Sequence, residues 1–157
     1  MAAKGVAMIT GASRGIGKAT AIALAQAGYD LVLAARTLSP NNRSAENILD
    51  PQGHPLAGSL EQTEAEVKGL GGNAISVPLD LLDKNSINRA IKTATDYFGK
   101  VNILVNNAIY QGPGLMSDLL KSDFADIEKA FDANVLAQLY LVRALLPDML
   151  TRGSGII

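Results

Sequence analysis

Short runs of consecutive apolar residues alternate along this chain with longer stretches in which apolar positions recur every three or four residues. The continuous runs are VAMI (6–9), LVLAA (31–35), AISVPL (74–79) and VNILV (101–105). Strands buried on both faces read this way, because neither face has to meet water. Between them, KATAIALAQAG (18–28) predicts a first helix. SLEQTEAEVKGLG (59–71) predicts a second, with Leu60, Ala65, Val67 and Leu70 turned inward. DKNSINRAIKTATDYFG (83–99) predicts a third, with Ile87, Ala90, Ile91, Ala94 and Phe98 inward. Each helical stretch ends in glycine, at 28, at 69 or 71, and at 99, where a left-handed residue is wanted to close a helix. A last long helix is expected from Ser122 to Leu150, opening on the capping sequence SDF and carrying Pro147 late, and GSGII after it reads as a strand beginning. The order β-α-β-α-β-α-β predicts one α/β domain over 1–157, a parallel sheet with right-handed crossovers.

One stretch breaks the rhythm. LSPNNRSAENILDPQGHPLAG (38–58) holds three Pro, three Asn and two Gly, and predicts a surface loop inserted after the second strand. It contains His54, the single histidine, which reads as a loop residue.

Composition narrows the function classes. The 157 residues are 48% hydrophobic, with a mean hydropathy of +0.16, enough to build a core. Fourteen Lys and Arg stand against fifteen Asp and Glu, a net charge of -1 with no basic run, which argues against a nucleic-acid or anionic-membrane surface. The sequence has no cysteine, so disulfides, thiolate metal sites and cysteine nucleophiles are excluded, and one histidine makes neither a triad nor a metal cluster. No apolar run approaches the length of a membrane span. A cytoplasmic protein is the expectation.

The candidate chemistry sits at TGASRGIG (10–17), directly after the first strand. A strand, a glycine turn and a helix N-terminus make an anion site, because unpaired backbone N–H groups and the positive end of the helix dipole converge there. The glycines at 11, 15 and 17 follow the spacing GxxxGxG rather than GxGxxG. A nucleoside triphosphate loop, GxxxxGK[ST], would need Gly at 12 and Ser or Thr at 19, and both positions hold alanine.

With this loop, AAR (34–36), LDLLD (79–83), NNA (106–108) and FDANV (131–135) recur at matching intervals, and the chain resembles the short-chain dehydrogenase/reductase family from Lys4 to Ile157. The resemblance implies a Rossmann-type doubly wound parallel sheet, here reaching just past the start of its fifth strand. It implies that Gly11, Ser13, Arg14, Gly15, Ile16 and Gly17 cradle a cofactor diphosphate and ribose. It implies that Asp80 bonds the adenine amino group with Leu81 against the ring, and that Asn107 and Ala108 meet the cofactor ribose.

Arg36 follows the second strand where dinucleotide folds read the adenosine ribose. A guanidinium there suits a 2′-phosphate, with Arg14 as a second basic contact, so NADP(H) is preferred to NAD(H). Each residue also has a plainer reading: a simple glycine turn, two solvated arginines, a loop aspartate beside the helix cap Asp83. Ile109 stands where the family has glycine, which makes the substrate pocket unusual, with Tyr110 and Gln111 as candidate lining.

The resemblance makes Asn134 the one catalytic residue present, holding a water in a proton relay; otherwise it is a satisfied core amide. The family's YxxxK pair is absent, since Leu33, Val101, Gly114 and Ala144 follow Tyr29, Tyr97, Tyr110 and Tyr140 at that spacing. The expected function is therefore an NADP(H)-dependent oxidoreductase acting on a small carbonyl or alcohol. This chain would supply its cofactor-binding part, and the full-length protein would be a dimer or tetramer. The alternative is a non-catalytic NADP(H)-binding module or inactive relative.

Overall fold

The computed structural model describes residues 3–40, 56–112, 115 and 118–157. Most of the predicted loop at 38–58, His54 included, lies outside the described residues. Four strands, β1 (Val6–Thr10), β2 (Asp30–Ala35), β3 (Ala74–Pro78) and β4 (Ile103–Val105), pair in parallel in the order β3-β2-β1-β4. The helices are α1 (Gly15–Gln26), α2 (Leu60–Gly69), α3 (Lys84–Phe98), α4 (Phe124–Phe131) and α5 (Ala137–Thr151). A short 3-10 turn, Leu119–Lys121, precedes α4.

Period-two alternation along the strands sorts the core into two layers. Val6, Met8, Val32, Ala34 and Val77 face Ile87, Ala90 and Ala94 of α3 and Leu141, Leu145 and Met149 of α5. Ala7, Ile9, Leu31, Leu33 and Ala74 face Ala21 of α1 and Leu60 and Val67 of α2. Helices thus cover both faces of the sheet, as the continuous apolar runs require.

The predicted fourth strand is shorter than its apolar run, because Asn102 has another task. Its backbone N–H donates to Val6 O at 2.8 Å while its side-chain Oδ1 accepts from Val6 N at 2.9 Å. Beyond β4, Ile156 bridges to Ile103 in parallel, with Leu104 N donating to Ile156 O, so the expected fifth strand does begin beside β4.

Two expected inward positions of α2 are wrong. Ala65 is exposed and Leu70 is 51% exposed, whereas Thr63 is fully buried. The buried stripe runs 60, 63, 67, leaving Ala65 on the opposite side, and Leu70 caps the helix beyond the sheet. Thr63 is held there because its hydroxyl donates to Ala12 O at 2.9 Å.

The expected helix from Ser122 to Leu150 starts at Phe124, capped by Asp123, whose Oδ1 accepts from Ala125 N at 2.9 Å. It runs to Thr151 with Pro147 inside it, but a π turn, Asp132–Leu136, interrupts it, and Ala137 N donates back to Asp132 O. Phe131 and Leu139 face outward, and the buried stripe is Ala130, Ala133, Ala137, Leu141, Leu145 and Met149.

Glycine closes the helices as the spacing predicts, with Gly28, Gly71 and Gly99 at φ +90°, +80° and +76°. Gly17 is different, being needed for packing inside α1. A Cβ there would fall within van der Waals distance of Gly11 O and 2.6 Å from Asn107 Nδ2. Asp83 caps α3, its Oδ1 accepting from Asn85 N at 2.8 Å. The Ser86 N–H is the main influence holding its carboxyl below the ordinary aspartate value, aided by Asn85 N–H and Arg89 against a smaller opposing effect of desolvation.

Gly17→Ala should destabilise the fold by about 1–3 kcal/mol in urea denaturation, through overpacking against backbone. Gly69→Ala, with nothing within 4 Å of its added Cβ, should be neutral or stabilise by up to about 1 kcal/mol. A carboxyl whose folded pKa is depressed contributes stability above its unfolded pKa and loses it as pH falls through the folded value. The melting temperature of Asp83→Asn should therefore converge on that of the unaltered protein below about pH 4, while lying beneath it at pH 7.

Candidate functional site

Two strand ends meet where the strand order reverses between β1 and β4, the place where open parallel sheets form a crevice. Thr10, the last residue of β1, is fully buried. Its hydroxyl donates to Val105 O at 3.2 Å and accepts from Asn107 N and Ala108 N, both at 3.0 Å. Asn107 returns the contact, its Nδ2 donating to Thr10 O at 2.9 Å and reaching Gly11 O at 3.5 Å. Gly11 (φ +72°) and Gly15 (φ +55°) turn the chain in the left-handed region. At Gly11 a Cβ would lie 2.7 Å from Asn107 Nδ2, whereas at Gly15 it would meet nothing within 4 Å. The first glycine thus permits close packing, and the second bares backbone to the crevice.

Helix α1 begins here with Arg14 extended at its N-cap, and no side-chain cap bond satisfies its first turn among the described residues. Its leading N–H groups therefore make an anion-binding end. The crevice above it encloses about 400 Å³. It brings together Gly11, Ser13, Arg14, Gly15, Ile16, Arg36, Asp80, Leu81, Asn107 and Ala108 of the sequence-predicted residues. Gly17 and Asn134 do not line it.

Arg14 spans the crevice wall. Its Nη1 donates to Leu56 O at 2.8 Å, and its Nη2 reaches Thr37 Oγ1 and Gly58 O, each at 3.4 Å. Gly58 lets this limb come close, because a Cβ there would sit 2.5 Å from Ser13 O. Asp80 is set by α3: its N–H donates to the buried Ser86 hydroxyl at 3.1 Å, and its Oδ1 accepts from Leu82 N at 3.0 Å.

On the β4 side, Asn134 gives both arms of its amide to one residue. Its Oδ1 accepts from Tyr110 N at 2.7 Å and its Nδ2 donates to Tyr110 O at 3.0 Å. Gln138, one turn on, donates through Nε2 to Ala108 O at 2.9 Å. The π turn around Asn134 is a device that recurs at functional sites.

Sequence reasoning missed Thr10, Thr37, Leu56, Gly58, Ser86 and Gln138. Thr10 opens the glycine motif and its place at the strand end was a usable signal; so was Gly58, a glycine immediately before a helix cap. Gln138 and Ser86 read as ordinary helix positions, and only tertiary contact shows their tasks.

The family model described as short chain dehydrogenase matches residues 5–157. A ketoacyl reductase, HetN, of Nostoc sp. is 33% identical over 148 residues, covering 94% of this chain and 44% of its own length. Among solved structures, a metagenomic short-chain oxidoreductase in complex with NADP superposes with a TM-score of 0.78 at 29% identity, covering 99% of this chain and 61% of that one. A carveol dehydrogenase from Mycobacterium avium in complex with NAD gives 0.77 at 28%, covering 98% and 53%. The chain thus spans about half the length of these relatives. A match across nearly all its residues, joined to a glycine crevice at the β1–β4 reversal, establishes that the chain belongs to the short chain dehydrogenase family of oxidoreductases.

Proposed function

We propose that this chain is the cofactor-binding part of an NADP(H)-dependent oxidoreductase that interconverts a small carbonyl compound and its alcohol. The carrying observation is the position of Arg36, half-buried and lining the crevice just past β2, where dinucleotide folds read the adenosine ribose. A guanidinium there favours a 2′-phosphate. The crevice fits a dinucleotide in its other parts as well. Gly15 and the open first turn of α1 would hold the diphosphate, Asp80 and Leu81 the adenine, and Asn107 and Ala108 the second ribose. The nicotinamide would supply the hydride, which none of these side chains can.

Arg14 supports this reading, because its bond to Leu56 O fixes the wall of the adenosine pocket and places a second guanidinium on the crevice that Arg36 lines. The solved relatives include one complex with NADP and one with NAD, so the assignment rests on this chain's own arginines. Asn134 braces the β4 end through Tyr110, and we assign it the catalytic positioning that the resemblance implies.

Exposed Phe131, Leu136 and Leu139 on the long helix support a homo-oligomer of the full-length protein. Among the described residues no helix is long and apolar enough to cross a membrane. We propose a cytoplasmic setting and no nucleic-acid partner, on the near-balanced charge of the chain and its lack of a basic run.

Fluorescence titration should show Arg36→Ala binding NADPH about 10- to 100-fold more weakly, the loss of a charge-assisted contact of about 1.5–3 kcal/mol. NADH affinity should change less than about threefold. Equal weakening of both nucleotides would refute the 2′-phosphate assignment.

A further inference from the structure

The crevice is chemically lopsided. Among the described residues, its charged side chains, Arg14, Arg36 and Asp80, stand on the side of β1, β2 and β3, whereas the lining at the β4 end is uncharged. Within that uncharged end Tyr110 is buried against the core, and Ile109 presents a large apolar side chain that is 58% exposed. An isoleucine exposed at the edge of a cavity presents apolar surface to whatever occupies it.

The backbone that carries Ile109 is also held from three directions. Thr10 binds the N–H of Asn107 and of Ala108, Gln138 binds Ala108 O, and Asn134 binds both polar groups of Tyr110. A β-branched side chain adds stiffness at χ1. A stiff apolar group on a pinned segment acts as a wall, since neither backbone nor rotamer can yield readily to what is placed against it.

We infer that Ile109 is a specificity-determining residue: a fixed apolar wall at the β4 end that packs against the nicotinamide end of the dinucleotide and selects the face of the ring there. The inference rests on the dinucleotide reading proposed above. Arg36 then chooses the adenosine end by charge, and Ile109 screens the other end by shape and polarity.

Calorimetric titration with two ligands separates the ends. NADP+ spans the crevice, whereas adenosine 2′,5′-bisphosphate carries the 2′-phosphate and adenine without nicotinamide. Ile109→Ala should bind NADP+ about three- to tenfold more weakly through lost apolar contact, with the bisphosphate within about twofold of the unaltered protein. Ile109→Val, which keeps the branched shape, should recover most of the NADP+ affinity. Equal weakening of both ligands, or no change in either, would overturn the role of Ile109 while leaving the dinucleotide reading intact. Failure of the unaltered protein to bind either ligand would overturn the dinucleotide reading, and this inference with it.

Discussion

The site depends on one hydroxyl. Thr10 is buried where β1 ends, and its oxygen serves three backbone groups of the segment leaving β4. Parallel strands whose order reverses diverge at their carboxyl ends, and their last polar groups would otherwise be left without partners. Thr10 satisfies them from the neighbouring strand, and Asn107 closes the circuit onto Thr10 O. The glycine loop and the β4 end are thereby fixed relative to one another.

From this joint the crevice divides by support as well as by charge. On the side of β1, β2 and β3, Arg14 clasps the Leu56–Gly58 limb, and Asp80 hangs on Ser86 of α3. The β4 side is braced by helix, with Asn134 and Gln138 gripping Tyr110 and Ala108. Electrostatic recognition tolerates some adjustment of side chains, while an apolar wall works only if held rigid.

Much of this was legible in the sequence because it is local. Continuous apolar runs marked the four strands, since strands covered on both faces have no polar alternation, and glycines at 28, 71 and 99 marked helix ends through their backbone freedom. Ten of the expected cofactor residues meet in one crevice, because a strand–turn–helix motif carries its own geometry. What escaped is long-range. Leu70 follows Val67 at helical spacing and is apolar where Thr63 is not, and only the approach of α2 to Ala12 decides that the threonine is the buried one. The grip of Arg14 on Leu56 joins residues 42 positions apart, and the π turn has no signature in the apolar pattern.

The π turn at Asp132–Leu136 carries one residue more than an α turn would, and each residue of a helix is worth about 100° of rotation. Asn134 sits within that extra turn, and the stripe Ala137, Leu141, Leu145 and Met149 follows it. Site and core are therefore geared together: the same surplus residue that aims the amide at Tyr110 sets the angle at which α5 meets the sheet. A position gained or lost within the turn would rotate α5 by about 100° and carry that buried stripe out of its seat against the sheet.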